Sequence, residues 1–196
     1  MTAAAFYFDL ASPLAYLAAE RVLHVLREPV EWRPVLAREL APRRPAAAAE
    51  REAIESRARE LGLQRLRWPR PFPFDSTLAM HAAAYAASIG RAVPFAQAAF
   101  RQAFAGGHSL EDPNFVLIAA AACEMHPAAV LRGARLRSTT QRLEHAAIAA
   151  ARAGVTELPA IVIGGRVFAG ERAPEQAAAW LGADPAGRGR RGEASR

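Results

Sequence analysis

The chain has 196 residues, of which 52% are hydrophobic and 22% are charged, a balance that suits a globular fold with a substantial buried core. All 25 basic residues are arginine, and together with 19 acidic residues they give a formal net charge of +6. Cys123 is the single cysteine, which excludes an intramolecular disulfide and a dithiol redox cycle within one chain.

The positive charge does not predict a nucleic-acid partner. The arginines are scattered, and the last residues, GRGRRGEASR, have the composition of a solvated tail. Attraction of a small anionic ligand explains the positive charge more simply. No membrane partner is expected either, because the longest apolar stretch, Phe115–Cys123, is too short to span a bilayer. Met1–Ala5 lacks the basic residue of a signal peptide, so a cytoplasmic location is the default expectation.

The N-terminal part of the chain predicts a β-α-β unit. The aromatic run Phe6–Phe8 has strand character. Ser12 followed by Pro13 is a typical helix start, and the helix is predicted to continue to about Arg27. A second strand is predicted at Val30–Val35, where a proline places it at an edge or at its own end.

The middle of the chain, from about Leu36 to Ala151, is predicted to be almost entirely helical. A proline-rich linker, Trp68–Phe74, interrupts it, and a further break is expected near Gly133–Ser138. The predicted helices are Glu50–Leu61, Thr77–Ile89, Pro94–Phe104, Pro113–Met125 and the two parts of Pro127–Ala153.

The C-terminal part returns to strands. Ala160–Ile163 is a β-branched run, Gly164-Gly165 forms a hairpin turn, and Arg166–Phe168 is the second strand of the hairpin. A last helix is predicted at Pro174–Leu181. The order β-α-β, helices, β-β-α is that of an α/β thioredoxin fold interrupted by a large all-helical insertion. The predicted division is a thioredoxin-like domain at 1–36 and 151–182, a helical insertion domain at 37–150, and a disordered basic tail at 183–196.

Ser12 is the leading candidate for chemistry. A strand runs directly into the helix that Ser12 begins, so free backbone N–H groups and the helix dipole favour an anion or a thiolate at this position. The Cys-x-x-Cys pair of dithiol oxidoreductases with this topology would fall on Ser12 and Ala15, which cannot form a disulfide. The alternative interpretation is that Ser12 only caps its helix.

Pro159 is the second candidate. It opens a strand directly after a helix, where a cis proline would expose the backbone N–H and C=O of Leu158 to a peptide-like ligand. An ordinary trans proline that starts a strand is the alternative.

Taken together, these two segments resemble the 2-hydroxychromene-2-carboxylate isomerases and kappa-class glutathione transferases of the DsbA-like thioredoxin superfamily. FYFDLASPLAYL is similar to the family's F-Y-F-D-x-x-S-P-x-x-Y-L opening, and GVTELPAIVIGGRVFAG is similar to its G-V-x-x-V-P-T-x-x-x-G-G-x-x-F-x-G close. The likeness extends over roughly residues 5 to 181, since the proline-rich linker and the helix after it also resemble bacterial members.

The resemblance implies a glutathione-dependent cis-trans isomerase that acts on an aromatic carboxylate. Glutathione, or another small thiol, would be the cofactor, with its sulfur held as a thiolate by the catalytic Ser12 and its cysteinyl portion paired with Leu158 beside Pro159. The γ-glutamyl ammonium of glutathione would contact Glu171 if this chain has a one-residue deletion relative to the family. An ungapped match to the family would place Arg172 there instead. Ala160 replaces the family's usual threonine. The resemblance also implies a homodimer.

Several points stay open in the sequence. The resemblance implies that an arginine of the insertion binds the glycine carboxylate of glutathione. Arg51 and Arg57 lie near the expected place, although both also fit an exposed helix face. A kappa-like glutathione transferase and a redox-inactive thioredoxin-like binding module are alternative functions. No metal site is expected, because none of the five histidines shows metal-ligand spacing.

Overall fold

The four strands form one mixed sheet in a computed structural model that describes residues 4–40 and 48–183. The sheet order is β2-β1-β3-β4; β1 is parallel to β2 and antiparallel to β3, and β3 is antiparallel to β4. This arrangement confirms the predicted thioredoxin fold. The strands are β1 (Ala4–Phe8), β2 (Val30–Pro34), β3 (Ala160–Ile163) and β4 (Arg166–Ala169).

Eight α-helices lie within the described residues, together with a 3-10 turn at Ala37–Glu39. One helix follows β1, six lie between β2 and β3, and one follows β4, as the sequence predicts. They are α1 (Pro13–Val25), α2 (Ala48–Glu60), α3 (Thr77–Ser88), α4 (Ala92–Phe104), α5 (Pro113–Ala121), α6 (Pro127–Ala134), α7 (Arg137–Arg152) and α8 (Ala173–Ala183).

The helix boundaries differ most from prediction at the end of α5. This helix ends at Ala121 instead of Met125, and the chain turns through Glu124, whose φ of 59° is left-handed. The backbone N–H of Met125 donates to the carbonyl of Ala120 at 3.0 Å and closes this turn, so the helix ends four residues before the predicted end. The expected break near Gly133–Ser138 is confirmed, because α6 ends at Ala134 and α7 begins at Arg137.

Strand β1 is buried on both faces of the sheet. Phe6 and Phe8 are fully buried in the large cluster formed with α1, α3 and α4. Tyr7 packs on the opposite face with Ala150 of α7 and with Ala160. Burying a phenylalanine side chain stabilises the fold by roughly 2–3 kcal/mol, so β1 anchors the layers on both sides of the sheet.

The predicted domain division is only partly covered by the described residues. Helix α7, which was assigned almost wholly to the insertion, contributes Ala150 to the cluster on one face of the sheet. The division at residue 150 stays a prediction. Of the predicted tail at 183–196, only Ala183 lies within the described residues, where it ends α8.

Gly133 marks the closest approach of α6 to α3. A Cβ atom built at this position would lie 2.2 Å from Cδ2 of Tyr85, so only a hydrogen atom fits there. Gly133→Ala should lower the free energy of unfolding by about 1–3 kcal/mol through overpacking, although alanine is the better helix former. Urea unfolding monitored by circular dichroism measures this change.

Gly182 in α8 provides the matched control, because nothing lies within 4 Å of a Cβ built there. Gly182→Ala should leave the free energy of unfolding unchanged or raise it by up to about 1 kcal/mol. If both variants shift in the same direction by the same amount, the close contact between Gly133 and Tyr85 is contradicted.

Candidate functional site

The turn between β1 and α1 is fixed by Asp9, whose side chain is buried. One carboxylate oxygen accepts the backbone N–H of Ala11 at 2.8 Å, and the other accepts the backbone N–H of Ala37 at 2.8 Å. Asp9 therefore ties the start of α1 to the segment that follows β2, and this contact holds the Ser12 turn in place.

Ser12 is the N-cap of α1, as predicted. Its backbone is extended, with φ of −96° and ψ of 115°, and its Oγ accepts the backbone N–H of Ala15 at 3.2 Å. Pro13 occupies the first helical turn. A serine hydroxyl accepts and donates at once, so the capping bond leaves the Ser12 O–H proton available to an acceptor outside the helix. The helix dipole favours a negative charge in that place.

A cavity of about 200 Å³ opens beside Ser12. The walls are mostly apolar and come from both parts of the chain, the Ser12 turn on one side and α2 with the proline-rich segment on the other. Asp9 and Glu50 are the acidic residues of the lining. The other lining residues are Ala11, Ser12, Pro13, Leu14, Ala37, Ile54, Phe72 and Pro73.

The single thiol of the chain lies apart from this cavity. Cys123 is 5% exposed in the turn after α5, and its Sγ–H donates to the backbone carbonyl of Ala119 at 3.2 Å. Burial raises the pKa of the Cys123 thiol, which keeps it protonated and unreactive at neutral pH. Ala15 is fully buried in α1. The lining of the cavity beside Ser12 therefore includes no cysteine thiol.

Pro159 lies at the same end of the sheet as the Ser12 turn. Tyr7 of β1 pairs with Ala160 of β3, and the two strands are antiparallel. Pro159, the residue before Ala160, therefore lies at the end of the sheet where β1 continues toward Ser12. The Leu158–Pro159 peptide bond is cis, and the carbonyl of Pro159 accepts the backbone N–H of Gly170 at 2.8 Å. No loop or turn hydrogen bond uses the backbone of Leu158 within the described residues. Neither Leu158 nor Pro159 lines the 200 Å³ cavity.

Glu171 lies in an ion-pair network just before α8. Its two carboxylate oxygens contact Arg21 of α1 at 2.8 Å and Arg57 of α2 at 2.9 Å. Arg21 also reaches Glu175 at 2.6 Å. Each carboxylate oxygen of Glu171 therefore already has an arginine partner. The neighbouring Arg172 is exposed. The cavity lining includes neither Glu171 nor Arg172, and their assignment to glutathione stays a prediction.

Arg51 and Arg57 on α2 have different surroundings. Arg57 pairs with Glu171 and with Glu60 of its own helix. Arg51 lies over two aromatic rings, 4.9 Å from the centroid of Trp68 and 5.3 Å from that of Phe72. Since Phe72 lines the cavity, the stacked Arg51 guanidinium lies near the Ser12 site.

The described residues include neither a cluster of metal ligands nor a membrane-spanning helix. No group of three or more histidine, cysteine or acidic side chains in 4–40 and 48–183 is arranged to hold a metal ion. In the same residues, no helix has the length and apolar character needed to cross a bilayer.

Comparison with known proteins agrees with the fold described above. A family model described as a DSBA-like thioredoxin domain matches residues 4–182, which is most of the chain. The chain belongs to the DSBA-like thioredoxin family. A comparison of this DSBA-like domain with curated proteins found no significant match.

Solved structures share the fold of this DSBA-like domain at low sequence identity. A 2-hydroxychromene-2-carboxylate isomerase superposes with a TM-score of 0.77 at 15% identity, covering 93% of this chain and 95% of the isomerase. A probable DsbA oxidoreductase from Streptomyces coelicolor gives 0.76 at 16%, covering 94% and 91%. The cytosolic disulfide reductase DsbM from Pseudomonas aeruginosa, solved with GSH, gives 0.63 at 13%, covering 93% and 98%.

Sequence reasoning missed several residues of the site in this DSBA-like domain. The roles of Asp9 and Arg21 were not predicted, because their partners lie far away in the chain. A signal for Arg21 is present in α1, where an arginine stands among residues with an otherwise buried, apolar pattern. The cavity walls at Ile54 and Phe72 carry no local signal beyond their apolar character.

Proposed function

We propose that this protein is a glutathione-dependent isomerase of the 2-hydroxychromene-2-carboxylate isomerase type. The observation that carries the proposal is Ser12, a helix N-cap hydroxyl that lines a mostly apolar cavity in a site without a cysteine. The likeness in fold to a 2-hydroxychromene-2-carboxylate isomerase supports the proposed function.

The proposed chemistry is nucleophilic catalysis with a thiol supplied by the cofactor. The Ser12 hydroxyl donates a hydrogen bond to the glutathione sulfur, and the N-terminus of α1 favours its negative charge, so the thiol ionises near neutral pH. When bound, the cofactor would supply a sulfur nucleophile that adds reversibly to the conjugated double bond of the substrate, so that this bond could rotate once the C–O bond of the ring has broken. Nothing is oxidised or reduced, and glutathione is regenerated.

The walls of the cavity suit an aromatic carboxylate. Leu14, Ile54 and Phe72 offer apolar contacts to a ring. Arg51, held over the rings of Trp68 and Phe72, makes no ion pair with another described residue and is the cation we assign to a carboxylate of glutathione or substrate. Arg57 is less suited, because Glu60 and Glu171 already balance its charge.

Spectrophotometric titration of the glutathione thiolate tests the proposal directly. In the complex, the pKa of the glutathione thiol should fall from about 8.5 to about 7, because Ser12 and the helix N-terminus stabilise the thiolate. Absorbance of the thiolate in the far ultraviolet, measured against pH with and without protein, gives this value. A pKa that stays at its free value in the presence of saturating protein contradicts the mechanism.

A redox-inactive binding module is the second candidate function. The occupied carboxylate of Glu171 favours it, because the γ-glutamyl ammonium of glutathione would have to displace Arg21 or Arg57. Calorimetry with glutathione separates the two functions. Measurable heat of binding and a rise in melting temperature support the isomerase, and neither would be seen with the binding module. Formation of a stable glutathione conjugate from the substrate would instead indicate a kappa-like transferase.

A further inference from the structure

A second cavity, of about 440 Å³, runs along the outer edge of the sheet. Its floor is β2, from Glu31 to Pro34, and its walls are the end of α3 at Ala87 and one side of α7. We call this cavity the β2 groove. It shares no lining residue with the cavity beside Ser12. Its size is within the range of cavities that bind small organic molecules.

Trp32, in the floor of the β2 groove, packs its indole against the core. Trp32 lines the groove and is 2% exposed, with its ring packed edge-on against Phe6 at 4.9 Å and Phe8 at 5.8 Å. Its indole Nε1–H has no hydrogen-bond partner among the described residues. The nitrogen atom itself has almost no accessible surface, so the open groove does not reach it. Because Trp32 is part of the groove lining, its indole instead reports on occupation of the groove.

The wall formed by α7 presents donors and positive charge. Four of its polar residues, Ser138, Gln141, Arg142 and His145, line the groove with the i, i+3, i+4, i+7 spacing of one helix face. Arg142 makes no ion pair with any other residue in 4–40 or 48–183.

The floor adds little net charge to this wall. Arg33 in the floor is already held by Glu31 at 2.6 Å and by the Tyr7 hydroxyl at 3.2 Å. Arg142 therefore leaves the groove with a net positive charge that a ligand anion can balance.

The remaining lining is apolar. Pro34, Ala87, Ala146 and Ala149 flank the polar residues and leave room for a hydrophobic body beside a charged group. We propose that the β2 groove binds a small aromatic or aliphatic carboxylate. The carboxylate pairs with Arg142, and the apolar body packs on the alanines of α7 above the strand that carries Trp32. This site does not depend on the function proposed for Ser12.

The test follows the indole N–H resonances of the three tryptophans in a ¹H–¹⁵N correlation spectrum during titration with 2-naphthoate. The Trp32 resonance, assigned by its loss in Trp32→Phe, should shift saturably. Arg142→Ala should weaken 2-naphthoate binding about tenfold, since it removes a charge-assisted hydrogen bond. Arg152→Ala, an exposed arginine of α7 outside the groove, is the matched control and should bind normally.

The remaining outcomes show which site the ligand occupies and whether a second copy of the chain occupies the groove instead. Ser12→Ala should bind 2-naphthoate in the groove with unchanged affinity, which distinguishes this site from the cavity beside Ser12. A Trp32 resonance that does not move at saturation, or equal affinity in Arg142→Ala and the native protein, overturns the proposal. So does a Trp32 resonance that shifts with protein concentration alone, because the occupant would then be a second copy of the chain.

Discussion

Ser12→Ala should lower glutathione-dependent isomerisation on the order of 100-fold, the usual effect of removing a hydrogen-bond donor that stabilises charge in a reaction. The protein should remain folded. Loss of the capping bond to Ala15 costs about 1 kcal/mol, which corresponds to a fall of roughly 2–4 °C in melting temperature for a chain of this size. Turnover of 2-hydroxychromene-2-carboxylate at saturating glutathione, with a melting curve for each variant, measures both effects.

Three further variants isolate the role of the Ser12 hydroxyl. Ser12→Gly keeps a favourable N-cap residue, so it should be nearly as stable as the native protein and as inactive as Ser12→Ala. Ser12→Thr retains the hydroxyl and should keep part of the activity. Cys123→Ala should keep full turnover, since that thiol is buried away from the cavity. Native turnover in Ser12→Gly would remove the proposed mechanism.

Arg21→Ala should lower the free energy of unfolding by about 3 kcal/mol, the cost of breaking a buried ion pair from one side. Arg21 is 9% exposed and holds Glu171, Glu175 and the backbone carbonyl of Leu17 at once. Its loss leaves Glu175 without its arginine partner and the backbone carbonyl of Glu171 without the donor that the Arg21 side chain supplies. Chemical denaturation of Arg21→Ala and of the native protein gives the difference.

The pair between Arg91 and Glu124 is the matched control. It joins the same residue types at 3.3 Å, but its side chains are 46% and 82% exposed. Arg91→Ala should therefore cost no more than about 1 kcal/mol. Equal losses in the two variants would contradict a special role for the buried network.

The pH dependence of stability gives a second measure of the network around Arg21. Burial alone would raise the pKa of Glu175, but the hydrogen bond from Arg21 and the nearby positive charges outweigh it and hold the pKa below its usual range. A carboxyl whose pKa is lowered by folding stabilises the fold above its unfolded pKa of about 4.3 and ceases to do so as the pH falls through the folded value. The difference in free energy of unfolding between the native protein and Arg21→Ala should therefore decrease as the pH falls through that range.

The fold was predictable because its signals are local. Ser12 followed by Pro13 marks the start of α1, two adjacent glycines mark the hairpin between β3 and β4, and Pro34 marks the end of an edge strand. Each of these residues acts on its own backbone, so neighbouring positions are enough to interpret it. The predicted end of α5 at Met125 was wrong, because the alanine-rich sequence before Cys123 favours a continued helix and no glycine marks the left-handed turn at Glu124.

The surroundings of Ser12 were less predictable because they depend on contacts between distant residues. Arg21 and Glu171 are 150 positions apart, and Arg57 and Glu171 are 114 apart. A sequence pattern shows that Glu171 is acidic, but it does not show that two arginines already bind it. The same holds for the cavity, whose walls combine the Ser12 turn with Ile54 and Phe72.

Helix α2 connects the width of the cavity to an ionic contact. Ile54 forms part of the cavity wall, and Arg57, three residues later on the same side of the helix, pairs with Glu171. Moving α2 outward to admit a bulkier guest would separate Arg57 from Glu171. Dissolved electrolyte screens such a partly exposed pair, so the cost of this movement should fall as the ionic strength rises.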